Sequence, residues 1–409
     1  RAPQGAGPFM PWKRRPFASA DSTRALNIAD LREAARRRVP HFAFEYVEGG
    51  AEDEATLSAN RAALQRLRLI PQTLIDTRER NLRCSVLGRP TAAPLVIAPT
   101  GLNGVLHRDA DVLLARAAAR LGVPFTLSTM STTRLEDVAT RAGGRLWMQL
   151  YVLKDRAIAR DIVQRAGAAG YEALVFTTDG NVFGSREWDR RCYRAPGRPS
   201  LRTGLDILRH PRWLMNVFGR DGMPRFRNIE TFLPPQAAGA VGGSTLIPQL
   251  FDASISWDDI GWIRQLWRGR LLLKGVLSVA DAERAAALGC DGIIISNHGG
   301  RQLDYCVASV EVLPAIVGAV GGRLSILIDS GFRRGTDVVK ALALGAEAVM
   351  LGRATLYGLA ARGQAGVEQA LEILTSEIDR VLGQLGCNSV TELGPRHLFD
   401  AAGASVPAR

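Results

Sequence analysis

The stretch Ser296-Asn-His298-Gly-Gly-Arg301-Gln-Leu-Asp304 sets a histidine and an arginine three positions apart in a glycine-rich turn after an apolar run. An imidazole there can serve as a general base near neutral pH, and a carboxylate such as Asp179 could orient the ring and stabilise its protonated form. Arg301 can grip a carboxylate with two parallel hydrogen bonds. The other four histidines, His41, His107, His210 and His397, have no comparable setting. A second pattern, Asp329-Ser-Gly331-Phe-Arg333-Arg-Gly335 followed by Leu351-Gly352-Arg353, combines glycines with arginines. Glycine lets backbone N–H groups approach an anion closely and arginine adds charge, so this pair of loops suits a phosphate. Turn glycines beside solvated arginines are the plainer alternative. Lys274 closes an apolar run, so its ammonium must find an anion at that run's end.

These groups need a scaffold that brings them to one face. Eight short apolar runs end in polar or turn residues, at 95–101, 125–130, 147–152, 173–179, 271–276, 292–297, 325–330 and 348–353. Each has the composition of a buried parallel strand. Helical patterns lie between them, opened by Thr133-x-x-Glu136, Ser256-x-x-Asp259 and Ser278-x-x-Asp281, where a hydroxyl can cap the first turn. Strand then helix, eight times, predicts an α/β fold of the (β/α)8 TIM-barrel class with a helical cap before residue 90. Strands start 21 to 33 residues apart except after the fourth, where 98 residues intervene, so a long insertion follows strand four. The expected layout is a tail over 1–20 and a single barrel domain over 21–400, with the insertion at 188–255.

In such a barrel the strands' C-terminal ends carry the chemistry, and here they offer Thr100, Ser128, Gln149, Tyr151, Thr177, Asp179, Lys274, Ser296, His298, Asp329 and Arg353. No G-x-G-x-x-G opens a helix after a strand and no P-loop occurs, which argues against a nicotinamide or nucleoside triphosphate site. The five cysteines form no C-x-x-C pair, so neither a zinc ribbon nor a disulfide framework is indicated, no metal is expected, and a reducing compartment is the default. Phosphate loops, a lysine and many hydrogen-bonding side chains fit flavin mononucleotide, FMN.

With these motifs in hand, residues from about 31 to 397 resemble the FMN-dependent 2-hydroxy acid dehydrogenases and oxidases, for which 296–304 is a signature. Ala98-Pro-Thr-Gly-Leu-Asn-Gly104, Thr177-Thr-Asp179, and the segments 327–335 and 351–363 are most similar to the family's (S)-mandelate-oxidising branch. The resemblance implies that His298 accepts the substrate's proton, paired with Asp179, and that Tyr151 contacts the hydroxyl side as a further catalytic residue. Tyr46, Arg186 and Arg301 would bind the substrate carboxylate. FMN would be held by Pro99, Thr100, Gly101, Ser128, Gln149, Thr177, Lys274 and Ser296, with its phosphate at Asp329, Gly331, Arg333, Gly352 and Arg353. Lys274 would stabilise negative charge on the reduced ring. Gly101, where the family's oxidases tend to carry alanine, points to a dehydrogenase that passes electrons to a carrier other than oxygen. Met130, Gly180, Asn181 and Phe183 depart from the mandelate pattern around the pocket and leave the substrate side chain open. L-lactate dehydrogenase and an oxygen-using oxidase are the neighbouring readings. A phosphate-sugar isomerase or lyase, or a non-catalytic flavin module, would leave part of the residue set without a task.

The chain carries 52 Lys and Arg against 40 Asp and Glu, a formal charge of +12. From 190 to 230 ten arginines face three acids, interleaved with apolar residues as in Leu205-Asp-Ile-Leu-Arg-His-Pro-Arg-Trp-Leu-Met-Asn-Val-Phe218. Basic charge with Trp, Leu and Phe suits an anionic bilayer surface, worth on the order of 1 kcal/mol per basic residue near the membrane. No nucleic-acid-binding motif accompanies the charge, so nucleic acid is not an expected partner. A solvated or oligomer-facing loop is the plainer reading of the segment. The resemblance favours membrane association, and with it a quinone acceptor, a homotetramer, and a peripheral position on the cytoplasmic face of the inner membrane. No stretch has the composition of a spanning helix or a secretory signal. The uncharged run 231–251 holds prolines and glycines that such a helix tolerates poorly, and it is expected to be a loop.

Overall fold

The computed structural model describes residues 21–195, 198–219, 222–234, 239 and 247–400; the tail at 1–20 and the rest of the insertion lie outside them. Eight parallel strands close a barrel: β1 (Leu95–Ile97), β2 (Phe125–Leu127), β3 (Leu146–Leu150), β4 (Ala173–Thr177), β5 (Arg270–Val276), β6 (Gly292–Ile295), β7 (Ser325–Ile328) and β8 (Ala348–Leu351), with β8 pairing back onto β1. The apolar runs dictate this, because a parallel strand covered on both faces must be apolar on both. All of β1 to β4, β6 and β8 is buried. Val96, Trp147, Val175, Leu272, Ile294, Leu327 and Met350 belong to one compact apolar cluster, and a larger apolar cluster includes residues of the surrounding helices.

The strands begin at the expected residues or one earlier, and all but β5 end sooner. Thr100, Ser128, His298 and Asp329 lie in loops just past the pairing rather than on it. His298 shows the reason, since its φ of +58° cannot continue a strand. A strand terminated this way turns its polar residues toward the barrel mouth.

Three helices, α1 (Ile28–Arg38), α2 (His41–Glu48) and α3 (Ala55–Arg66), precede the barrel, and α2 carries Tyr46 to the mouth. The outer ring includes α4 (Ala110–Leu121), α5 (Leu135–Ala142) and α6 (Arg156–Ala168). Thr133 was expected to cap α5, but the helix starts at Leu135, whose N–H donates instead to Asn228 Oδ1 at 2.9 Å. The cap comes from the insertion, 93 residues away. The insertion contributes α7 (Glu187–Arg191), α8 (Leu201–Leu208) and α9 (Pro211–Phe218), and α9 is docked on the loop after β1. Trp213 Nε1 donates to the Val105 carbonyl at 2.8 Å, and the Arg108 N–H to Asn216 Oδ1 at 3.0 Å. Within 231–251, a 3-10 turn at Glu230–Phe232 and a helical turn at 247–250 flank residues outside those described.

The ring continues with α10 (Asp258–Leu266), α11 (Val279–Ala287), α12 (Ser309–Val320), α13 (Gly335–Ala343), α14 (Arg353–Arg362) and α15 (Gln364–Leu385). Ser278 caps α11 as expected, accepting from the Asp281 N–H at 3.1 Å. Before α10, Asp259 Oδ2 accepts from the Ser256 N–H at 2.8 Å and Ser256 Oγ accepts from the Asp258 N–H at 3.3 Å. Helix α14 starts at the second phosphate loop and crosses the start of α15 so closely that a Cβ on Gly358 would overlap the Gly366 carbonyl. Adding that methyl overpacks the crossing, at a cost of about 1–3 kcal/mol. Gly358→Ala is therefore expected to lower the thermal unfolding midpoint by several degrees in a calorimetric scan, whereas an unchanged midpoint would show that the crossing does not hold α14 in place.

Candidate active site

A cavity of about 1320 Å³ opens at the C-terminal ends of the strands and runs under α2, α7 and α9. That exceeds the roughly 300–1,000 Å³ typical of a single ligand cleft. His298 stands at its wall, on the turn that follows β6. Its Nδ1 lies 2.8 Å from Asp179 Oδ1, beyond the end of β4, and its Nε2 lies 3.4 Å from the Tyr151 hydroxyl. Asp179 thus selects the Nδ1–H tautomer and leaves Nε2 facing the cavity. Asp179 is itself held by Gln302, whose Nε2 donates to the Asp179 carbonyl at 3.0 Å. Lys274, 4% exposed at the end of β5, pairs with Asp329 Oδ2 at 3.1 Å and donates to Ser296 Oγ at 2.8 Å. Ser296 Oγ in turn accepts from the His298 N–H at 3.0 Å, so one hydroxyl links the lysine to the histidine's turn.

On the opposite side Arg301 donates to the Gly49 carbonyl at 2.6 Å, and its guanidinium lies 5.4 Å from the centre of the Tyr46 ring. The Tyr46 hydroxyl donates to the Gly101 carbonyl at 2.9 Å, tying α2 to the loop after β1. Arg186 lies 4.5 Å from the Phe183 ring centre, with a buried Nε that has no partner. Arg353 spends its guanidinium on the carbonyls of Val47, Gly299 and Gly49, at 2.7, 2.8 and 3.0 Å. What it offers an anion is therefore charge and its backbone N–H rather than a free guanidinium edge.

The electrostatics of this mouth are those of buried cations crowded together. Burial, and then the neighbouring Arg301 charge, pushes Arg186 down to about 10 and Arg353 down to about 9. Asp189, the carboxyl among these arginines, is pushed up by burial. Burial lowers the His298 pKa below its ordinary value, against the pull of Asp179. Burial opposes the Asp179 charge too, but the imidazole and Lys274 outweigh it and hold the carboxyl low. For Lys274 burial is likewise outweighed, by Asp329 and Asp179, and its pKa is raised. The result is an imidazole held toward its neutral form and backed by a carboxylate, beside a cluster of buried cations.

Most of the residues singled out from the sequence line this cavity: Tyr46, Pro99, Thr100, Gly101, Ser128, Tyr151, Arg186, Lys274, His298, Arg301, Asp329, Gly331, Arg333, Gly352 and Arg353. Gln149, Thr177, Asp179 and Ser296 are not in its lining and support it from behind. Gln149 Nε2 and Thr177 Oγ1 are buried with no partner, and a flavin's pyrimidine edge, with alternating carbonyl and N–H groups, could satisfy both. At the phosphate loops the first turn of α13 is already served. Asp337 Oδ2 accepts from the Arg333 and Arg334 N–H groups, and Glu377 Oε2 accepts from Gly335 at 2.6 Å. The start of α14, which has no side-chain cap, remains for an anion, with Arg333 alongside. FMN therefore fits these residues. Sequence reasoning missed Phe251, Gln302, Asn228 and Glu377. Only Gln302 carried a signal, its place inside the 296–304 motif.

Three comparisons bear on this site. The profile of the FMN-dependent dehydrogenase family matches residues 35–400. The chain is 47% identical to (S)-mandelate dehydrogenase of Pseudomonas putida, over 92% of this chain and 94% of that protein. It is 43% identical to an L-lactate dehydrogenase of Azorhizobium caulinodans, over 89% and 96%. Among solved structures it is similar to the monotopic membrane protein (S)-mandelate dehydrogenase, with a TM-score of 0.87, 46% identity, and 92% and 100% of the two chains covered. A mandelate oxidase bound to (S)-mandelic acid gives a TM-score of 0.75 at 37% identity, over 92% and 98%.

The pairing of His298 with Asp179 has a direct spectroscopic consequence. Followed by imidazole nitrogen NMR, His298 is expected to titrate below 6.5, and lower still in Asp179→Asn, because the substitution removes the charge that favours imidazolium. A rise on that substitution would contradict the arrangement.

Proposed function

Because the chain belongs to the FMN-dependent dehydrogenase family, here the 2-hydroxy acid dehydrogenases, we propose that it oxidises an (S)-2-hydroxy acid with an aryl side chain, mandelate or a close relative, to the 2-oxo acid and passes the electrons to a membrane quinone. The observation that carries the reaction is the His298–Asp179 pair facing Arg186 and Arg301 across one cavity. The similarity to (S)-mandelate dehydrogenase supports the aryl substrate. The similarity to L-lactate dehydrogenases supports a second reading, in which the substrate is aliphatic.

In this reading the substrate carboxylate lies between Arg186 and Arg301, with the Tyr46 hydroxyl beside it. Two guanidiniums short of an anion gain one, and the unpartnered Arg186 Nε gains an acceptor. That anchor turns the substrate hydroxyl toward His298 Nε2 and Tyr151. His298 takes the hydroxyl proton on Nε2, and Asp179 Oδ1 stabilises the imidazolium through Nδ1–H. Bound FMN supplies the acceptor for the α-hydrogen and its two electrons. Lys274 sets a buried positive charge where that reduction adds negative charge, and Asp329 keeps the lysine in place before it does. Pro99, Thr100, Gly101, Ser128, Gln149, Thr177 and Ser296 hold the ring in this proposal, and Gly331, Arg333, Gly352 and Arg353 the phosphate.

The insertion provides the route to the acceptor. Leu201, Leu205 and Leu208 form one exposed face of α8, at 86%, 61% and 69%, and Met215 on α9 is 75% exposed. Arg202, Arg209 and Arg212 border this apolar face. Among the described residues no helix is long and apolar enough to cross a membrane, so the association proposed is peripheral, on the cytoplasmic face of the inner membrane, by a homotetramer.

Anaerobic mixing of the yellow protein with (S)-mandelate is expected to bleach the flavin rapidly while L-lactate does so slowly, and His298→Ala is expected to slow that bleaching by about 10²–10⁴. Bleaching by lactate alone would favour the second reading, and hydrogen peroxide formed in step with turnover in air would replace the quinone with oxygen. Cosedimentation with anionic vesicles should be strong at low salt and weakened both by added salt and by Leu205→Asp. Equal pelleting with neutral and anionic vesicles, unaffected by Leu205→Asp, would contradict the membrane role of α8.

A further inference from the structure

Beside the reacting groups three aromatic rings stand in a row. The Tyr151 and Phe251 centroids are 5.0 Å apart with planes at 70°, and Phe251 and Phe183 are 5.6 Å apart at 62°. Both contacts are edge-to-face, the geometry in which aromatic rings attract one another. The row is fixed at both ends. Phe251 closes the insertion and pairs antiparallel with Leu153, two residues beyond Tyr151, while the Lys154 N–H donates to the Leu250 carbonyl at 2.9 Å. Phe183 lies under the Arg186 guanidinium, and the next residue, Gly184, donates its N–H to Gln302 Oε1 at 3.0 Å. Gly180 makes room for the first ring, since a Cβ there would come within 2.8 Å of Tyr151 Cε1. Phe183, which is 38% exposed, and Phe251 both line the cavity, so the row presents two rings to it.

We infer that Phe251 and Phe183 are the residues that select an aromatic substrate side chain, whose ring packs against both of them in the cavity while Arg186, seated on Phe183, holds the carboxylate of the same molecule. Ring recognition and carboxylate binding then share one support, Phe183, and the insertion supplies part of the substrate pocket through Phe251. This inference rests on the aryl reading of the substrate, and the test separates the two.

The test compares flavin reduction by (S)-mandelate and by L-lactate in the holoenzyme, Phe251→Leu and Phe251→Tyr, together with Kd values for phenylacetate and acetate read from the flavin absorbance. In Phe251→Leu the mandelate-to-lactate ratio of kcat/KM and the acetate-to-phenylacetate ratio of Kd are each expected to fall about tenfold, the scale of one or two edge-to-face contacts. Phe251→Tyr, which keeps the ring, is expected to restore both ratios. If the wild type is reduced by mandelate but neither ratio moves in Phe251→Leu, the selecting role is overturned and the aryl reading stands. If the wild type is reduced by lactate and not by mandelate, both are overturned. Equal weakening toward both ligands in Phe251→Leu would make Phe251 a structural support and likewise overturn its role in selection.

Discussion

Four cationic side chains, Lys274, Arg186, Arg301 and Arg353, line one cavity, and much of the surrounding structure serves to keep them charged. An isolated charge in such a place would give up its proton or pull its surroundings open. Lys274 escapes this through Asp329 and Asp179, whose attraction outweighs its burial. The arginines have less: carbonyls from the end of α2, at Val47, from the residue that follows it, Gly49, and from the turn after β6, at Gly299. Carbonyls satisfy N–H groups without cancelling charge, which leaves a standing positive potential in the mouth. In the proposed reaction the substrate carboxylate and the cofactor phosphate are the anions that complete it.

The same potential decides how the histidine behaves. Burial, Lys274 and Arg186 all favour a neutral imidazole, so the ring is ready to accept a proton. Asp179 opposes them, and its closeness to Nδ1 means that a proton gained on Nε2 meets a compensating charge within hydrogen-bond reach. Neither influence alone would serve. Asp179 lowers the cost of forming the imidazolium, while burial, with the nearby cations, favours the neutral ring.

The barrel was legible because its signal is local. A buried parallel strand needs a short run of apolar residues, and eight such runs at near-regular spacing leave little room for another fold. The strand ends were less legible, because what stops β6 is a left-handed residue at His298, and no run of residue types announces a backbone angle. Of the site, the residue types at the mouth could be read directly, and their roles came from resemblance to a family. What neither source contained were partnerships made across the fold. Asn228 capping α5, Glu377 occupying the start of α13 and Phe251 standing against Tyr151 each join segments tens of residues apart. Arg353 is the instructive case. Its residue type suggested an anion site, yet its guanidinium is taken up by three carbonyls, which only the packed structure reveals.

These long-range partnerships also bear on what the insertion is. A segment that only tethered the barrel to a surface could hang from a linker, and nothing in the barrel would depend on it. Here the insertion caps α5 through Asn228, and Trp213 fixes the loop after β1 at Val105, in the segment that carries Thr100 and Gly101. Residues 249–251 are held to the loop after β3, next to Tyr151. Two of the loops that shape the cavity are therefore braced from outside by the segment whose other side presents Leu201, Leu205 and Leu208 to solvent. Whatever α8 rests on, its position is transmitted through packed contacts rather than a flexible connection, so the outer surface and the mouth of the barrel belong to one mechanical unit.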